Sequence, residues 1–309
     1  SSAAGSLDTK RLWDFGPQTY AEEKFGDFVS ATWASEQLRA KHEKTFFLAV
    51  GLYRPHVPWY APQRFFDERP LNNVQLPKVN DKDRDDLPPA AVQLTNNTTP
   101  PAHDWFVKSK QWTPAVQAYL ASTSFTDAQV GRIMKALDEG PHADNTVVIL
   151  FSDHGFHLGE KQRWAKQSLW ERSTRVPFII RTPGQEEGAR CDQPAELLSI
   201  FPTLTELCHL KTPADLEGES LMPLLKDADG RWERPALTTY FANNHAVRSK
   251  NWRYIRYADG SEELYDHRQD PREWNNLAGD KQFADVIAEH AQWLPKENAP
   301  DARKSSGKP

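Results

Sequence analysis

The chain has 309 residues, 38% hydrophobic and 11% aromatic, with a formal net charge of −5 at pH 7. That is enough apolar material for a sizeable core and about two domains. Acidic and basic residues are mixed, which argues against nucleic acid and anionic membranes as partners, and no apolar run approaches the roughly 20 residues of a membrane helix.

The first residues lack the charged-then-apolar pattern of a leader and do not begin with methionine, so a leader or a longer segment is expected to have been lost. Residues 27–38 carry apolar side chains at helical spacing, and the apolar run 46–53 is predicted as a buried strand, the helix–strand unit of an α/β sheet. Residues 55–101 are rich in Pro, Asn and Asp with little periodicity. They are expected as a long loop, functional or wrapped over the surface. Within them Asn96 and Asn97 match the Asn-x-Ser/Thr glycosylation pattern. Thr113-Pro114 supplies an N-cap and a first-turn proline for a helix to Leu137, with Val130, Ile133, Met134 and Leu137 on one face and Gly140 as its stop.

Residues 147–151 form a continuous apolar run, predicted as a fully buried strand, which stops at Ser152-Asp153-His154-Gly155. A carboxylate and an imidazole at that exit lie where open α/β sheets put their ligands. Asp153 and His154 are both competent metal ligands, and Gly155 permits a tight turn behind them; taken alone, the pair also reads as an ordinary turn. Residues 176–180 are a third buried strand, and 200–210 a helix. Cys191 and Cys208 are too few for a disulfide framework or a Cys-x-x-Cys metal site, leaving two thiols or a single bridge. Composition shifts near 232–235. Short strands follow at 237–241, 245–248, 252–257 and 263–265, with Asp259-Gly260 as a hairpin turn, then a helix at 283–294. The predicted organisation is an α/β part at 1–235, a small antiparallel-sheet-plus-helix subdomain at 236–295 and a disordered tail at 296–309.

His56 also follows a buried-strand candidate, and Pro55 and Pro58 stiffen the backbone around it. Its plain alternative is a surface-loop histidine, as a solvated lysine is for Lys166. Together, a carboxylate, two imidazoles and an ammonium at one sheet edge suit a tetrahedral anion, because a divalent cation and cationic donors neutralise oxygens that gain charge in the transition state. Sulfate and phosphate esters are the natural candidates.

The stretches FFLAVGLYRPHVPWYAP, SDHGFHLGEKQRWAK and TRVPFIIRTPG, with FPTLTELCHL and EELYDHRQDPREWNNLA, resemble sulfatases of the alkaline-phosphatase superfamily. The similarity is to the branch containing iduronate-2-sulfatase and bacterial polysaccharide sulfatases, and it spans nearly the whole chain. The resemblance implies an α/β fold with a mixed sheet sandwiched by helices. It also implies hydrolysis of a sulfated sugar or polysaccharide with calcium and a formylglycine nucleophile. Asp153 and His154 match two calcium ligands, and Lys166 the lysine on the sulfate oxygens. His56 matches the histidine that binds the sulfate and assists the leaving group. His157 and Trp164 are expected at the substrate rim, and His245 and Arg248 are expected to reach the pocket from the small subdomain.

The departures are specific. No Cys/Ser-x-Pro-x-Arg motif occurs: Cys191 is followed by Asp-Gln-Pro-Ala and Cys208 by His-Leu-Lys-Thr. The family's paired N-terminal aspartates and its Lys-x-x-His segment are missing too. Since the family places all three upstream, the chain is expected to be the C-terminal portion of a longer sulfatase. Its N-terminal third, or a separate chain, would supply them, and this chain alone would be inactive. Export from the cytoplasm is implied as well. The rival readings are a phosphoester or phosphonate hydrolase on the same fold, and a non-catalytic or split-subunit binder of sulfated glycans.

Overall fold

The computed structural model describes residues 13–96, 99–185 and 188–300; Asn97 and the tail from 301 onward lie outside the described residues. The chain begins with β1 (Phe15–Gln18) and α1 (Gly26–Arg39), then β2 (Trp59–Pro62), α2 (Gln63–Asp67), α3 (Pro89–Thr95), α4 (His103–Lys108) and the long α5 (Trp112–Asp138). β3 (Val148–Phe151), β4 (His157–Leu158), β5 (Trp164–Ala165), α6 (Glu171–Thr174) and β6 (Phe178–Arg181) follow. α7 (Ile200–Leu207) and α8 (Met222–Lys226) lead into β7 (Ala236–Thr239), β8 (His245–Arg248), β9 (Trp252–Arg256), β10 (Glu262–Asp266) and α9 (Ala284–Ala291).

The architecture is mixed α/β. β1 pairs parallel with β2, β3 antiparallel with β6, and β4 antiparallel with β5, while β7 to β10 form a four-stranded antiparallel meander. α5 runs one turn residue earlier than its Thr113-Pro114 signal, beginning at Trp112 behind Gln111. It packs against α1, and Gly140 ends it where a Cβ would stand 2.8 Å from the Leu38 carbonyl oxygen of α1. The Asp259-Gly260 hairpin forms as predicted: Gly260 has φ +86°, and Asp259 Oδ1 accepts from the Ser261 amide at 2.9 Å.

Three expectations need correction. Residues 46–53 are extended but carry no strand assignment, and their exposure alternates, with Phe47 82% exposed. Phe46 and Leu48 pack beside Leu38 and Leu137 while the opposite face has no cover among the described residues. β3 and β6 are likewise half-buried rather than buried, with Phe151 and Ile179 turned outward. Apolar composition signals an affinity for cover; only the neighbours present supply it. Residues 55–101 are not one loop: β2, α2 and α3 arise there, because Trp59, Ala61, Phe65, Phe66 and Ala91 all reach the core. Cys191 and Cys208 are exposed free thiols.

Trp59 anchors the main core. Its fully buried indole has ring centroids 5.6 Å from Trp13, 5.7 Å from Tyr119 of α5, 5.7 Å from Phe156 and 5.9 Å from Trp164. A second core joins Leu87, Leu169 and Trp170 to Ala246, Ile255 and Tyr265 of the meander, so the small sheet shares packing with the preceding part. A third packs the outer side of the meander on α9.

A buried ionic network stands beside the second core. Arg253, 2% exposed, donates to Glu273 at 2.5 Å and to Glu171 at the start of α6. His267 lies 2.9 Å from Glu273, and Arg248 3.2 Å from Glu171. Burial by itself would push the Glu273 carboxyl up. Arg253 and His267 outweigh it and hold the group at about 2, against an ordinary 4.5. A carboxyl with a depressed folded-state pKa stabilises above its unfolded value and loses that contribution as pH falls through the folded one. Asp83 works in the opposite sense: burial raises it to about 6 despite Lys161 2.8 Å away, so its protonation favours the folded state.

Glu273→Ala is expected to cost about 3–5 kcal/mol in urea unfolding, since it leaves Arg253 buried and partly unpaired. In the wild type, stability should fall between about pH 4.5 and pH 2, by on the order of 3 kcal/mol. Glu273→Gln should flatten that limb, and an unchanged limb would contradict the assignment. Trp59→Ala is expected to destabilise by about 3–5 kcal/mol and Trp59→Phe by clearly less, measured in the same way.

Candidate active site

The stretch from β3 to α6 is shaped by close approach more than by turn preference. A Cβ on Gly155 would meet the Arg172 carbonyl oxygen at 2.2 Å, and its amide donates to Ser173 O at 2.8 Å, so this glycine lets α6 lie directly against the loop. Gly155 does not have positive φ; the tight-turn reason read from sequence is replaced by this contact. β4 and β5 then form a two-residue hairpin, and a Cβ on Gly159, whose φ is +129°, would meet the His103 and Trp112 rings at 2.9 Å. Ala165 has φ +82°, a left-handed conformation costly for a residue with a Cβ, immediately before Lys166.

Asp153, His154 and Lys166 line one open cleft of about 1930 Å³, and Arg248 is also in its lining. The Asp153 side chain is 81% exposed, and its Oδ2 is 3.5 Å from His154 Nε2. His154 Nδ1 is 2.8 Å from the Gly155 carbonyl oxygen, which can only accept. Nδ1 therefore donates to it, and Nε2 is the nitrogen that faces the carboxylate. That donor pair suits a divalent cation, and the Gly155 carbonyl holds the ring by its other nitrogen, as a ligating histidine is usually held. Calcium takes about 6–8 ligands, so these two side chains supply only part of such a site. The Lys166 ammonium is half-buried and makes no ion pair or hydrogen bond among the described residues.

His56 is not among the residues lining that cleft. It is held comparably: Nδ1 lies 2.7 Å from both the Tyr53 hydroxyl and the Val57 carbonyl, and the hydroxyl donates to the same carbonyl at 3.0 Å. Nδ1–H is thus engaged and Nε2 is left available. Asp27, buried in the first turn of α1, accepts from the Tyr53 and Arg54 amides at 2.7 and 3.0 Å and pins the loop from behind. Three residues on, Trp59 contacts Phe156 and Trp164, two residues from His154 and Lys166 respectively.

The other expected residues lie elsewhere. His157 is 1% exposed, with Nδ1 3.2 Å from Glu160 O and Nε2 3.2 Å from Ser168 Oγ. Burial, aided by Arg163, pushes its imidazole well below the ordinary value, so it is a neutral core histidine rather than a rim residue. Trp164 stacks on Phe106 at 3.9 Å inside the core. His245 is buried, its Nδ1 2.9 Å from Thr239 Oγ1, and does not line the cleft. Arg248 does line it, but its guanidinium is committed to Glu171 and to His267, 3.0 Å away. Sequence reasoning missed Tyr53 and Asp27 behind His56, and the whole Glu171–His267–Glu273 cluster. The last has ligand atoms within 4.8 Å of one another, as a metal cage would. Arg253 and Arg248 already place two positive charges there, so the cluster is an ion-pair network and not a cation site.

A sulfatase family model matches residues 16–210, and a model of the C-terminal region of N-sulphoglucosamine sulphohydrolase matches residues 159–299. A sulfatase of Formosa agariphila is 40% identical over 286 residues, covering 93% of this chain and 56% of that protein. Iduronate 2-sulfatase of Homo sapiens is 34% identical over 210 residues, covering 54% of this chain and 36% of its own length. The phosphonate monoester hydrolase of Agrobacterium radiobacter superimposes with a TM-score of 0.76 at 22% identity, over 89% of this chain and 61% of that one, and so shares the alkaline-phosphatase-like fold. The chain spans about half the length, or less, of these curated relatives. With a family model matched over more than half its residues and a close relative covering nearly all of it, the chain belongs to the sulfatase family.

Proposed function

We propose that these residues form the anion-holding part of a sulfuric ester hydrolase acting on a sulfated sugar or polysaccharide. The observation that carries this reading is the placement of Asp153, His154 and Lys166 on one cleft wide enough for a sugar. The likeness to iduronate 2-sulfatase supports the sugar as substrate class.

In this reading the unpaired Lys166 ammonium neutralises the non-bridging sulfate oxygens, whose charge grows as the ester bond breaks. His56 acts at the departing oxygen: protonated at Nε2 it donates to the sugar alkoxide, with Tyr53 and Val57 holding the ring by Nδ1. Asp153 and His154 Nε2 would hold calcium, which when bound contributes positive charge at the ester oxygens. The nucleophile and the remaining calcium ligands come, in this reading, from outside the 309 residues, on the same polypeptide or a separate one. Its support is that the sequence contains no Cys/Ser-x-Pro-x-Arg motif. This chain alone is accordingly expected to be inactive. Export belongs to the same reading. Hydrolysis of phosphate or phosphonate esters is the second reading, favoured by the fold shared with the Agrobacterium enzyme.

Paired assays on the intact protein decide. Aryl sulfate should be turned over with higher kcat/KM than aryl phosphate, and the reverse preference would establish the second reading. Lys166→Ala should lower kcat by about 10²–10³-fold. His56→Ala should lower turnover of a sugar sulfate by about 10²–10⁴-fold but that of nitrophenyl sulfate far less, since a good leaving group needs no proton. Equal losses on both substrates would remove His56 from that role. Chelation should abolish activity, calcium should restore it, and Asp153→Asn should raise the calcium required by about tenfold or more. Glycan binding without turnover would favour the non-catalytic alternative.

A further inference from the structure

Arg163 is 6% exposed, yet none of its three guanidinium nitrogens has a hydrogen-bond partner among the described residues. An unpaired charge is among the costliest things to bury. The carboxylates of this region are already committed. Asp83 holds the Lys161 ammonium at 2.8 Å, and Glu263 accepts from Trp170 at 2.7 Å, from Tyr257 at 2.5 Å and from Tyr265. Glu273 is bound to Arg253 and His267.

The second charge that reaches Arg163 is a like one. Arg84, half-buried and without an ion pair or hydrogen bond from its guanidinium among the described residues, joins burial in lowering Arg163 to about 10. At neutral pH Arg163 remains charged. The two guanidinium groups arrive on neighbouring loops: residues 81–86 dock on 160–163 through Asp83 with Lys161 and through Gln162, which donates to Asp81 O at 2.6 Å. Trp170, its ring centroid 5.8 Å from Arg163 Cζ, supplies one face of the surroundings.

We propose that Arg163 and Arg84 form an anion site, separate from the Lys166 cleft, that takes a small oxyanion, either sulfate or a carboxylate. Guanidinium groups recognise both through the same two-pronged hydrogen bonding. The bound anion supplies the counter-charge that is missing among the described residues, and Arg84 is the more exposed of the two arginines. Free inorganic sulfate and the carboxylate of a uronic acid are the two sources of that chemistry.

The test is thermal unfolding of the intact protein in sodium sulfate, in methyl glucuronide, and in sodium chloride at matched ionic strength. Wild type should melt higher in at least one of the two anions than in chloride, and which one identifies the source. Arg163→Met should reduce the rise to what the Lys166 cleft and the general effect of sulfate contribute, and should melt no lower than wild type in chloride, because it removes an uncompensated charge. Arg84→Gln should bind about tenfold more weakly, and at its half-buried position it reads the site even where Arg163→Met does not fold. Lys166→Ala should keep the part of the response that the arginine variants lose. The general stabilising effect of sulfate cancels in the comparison between variants. No rise in wild type, an equal rise in both arginine variants, or a rise lost only in Lys166→Ala would overturn the proposal. None of these readouts needs turnover, so the site stands or falls apart from ester hydrolysis.

Discussion

The packing of Trp59 is the constraint on which the candidate site depends. Its indole meets rings from the segment before β1, from α5 and from both arms of the 153–166 loop, and it leaves no freedom between them. Through that one side chain the loop carrying His56 is brought against the loop carrying Asp153, His154 and Lys166. Aromatic packing of this kind is stiff, because close-packed rings transmit displacement instead of absorbing it. The neighbouring hydrogen bonds reinforce the arrangement: Trp59 Nε1 donates to Pro55 O at 2.8 Å, and Thr126 Oγ1 donates to Arg54 O at 3.0 Å. The rigidity of the His56 loop thus comes from its surroundings as well as from its prolines.

Charge is divided between two uses. Arg253, Arg248, Glu171, Glu273 and His267 neutralise one another out of water, and in doing so they fasten α6 to the meander a few residues beyond Lys166. Lys166, on the cleft, is left without such a partner, and Asp153 has only the adjacent His154. A group already satisfied by a neighbour gains little from a ligand, so the unpaired residues are the ones able to bind. Arg163 is buried like the first set and unpartnered like the second, which is why it stands apart.

Several elements were legible from sequence for clear physical reasons. α1 and α5 show their helical period, and the meander strands, each with short alternation and a turn residue at Gly260, appear close to where they were expected. His56, Asp153, His154 and Lys166 were expected as one set because their chemistry is complementary; the last three line one cleft and His56 does not. The apolar runs at 46–53 and 147–151 were less informative. Such a run states what a segment would gain from burial, and it is silent on whether anything lies over Phe47 or Phe151. His157 and Trp164 were misjudged as rim residues because proximity in sequence to Lys166 says nothing of direction: β5 pairs with β4, and Trp164 turns into the core to stack on Phe106.

The residues by themselves determined the family and the mixed α/β class, and they singled out groups whose chemistry suits an anion and a cation, since these follow from local pattern and side-chain chemistry. Only the tertiary structure decided which of those groups share a cleft, which histidine nitrogens remain available and which charges are already spent. Those outcomes depend on contacts between segments distant in the chain. Gly155 shows the difference most plainly: its sequence context suggests a turn, but its necessity comes from a carbonyl of α6 lying where a side chain would have been.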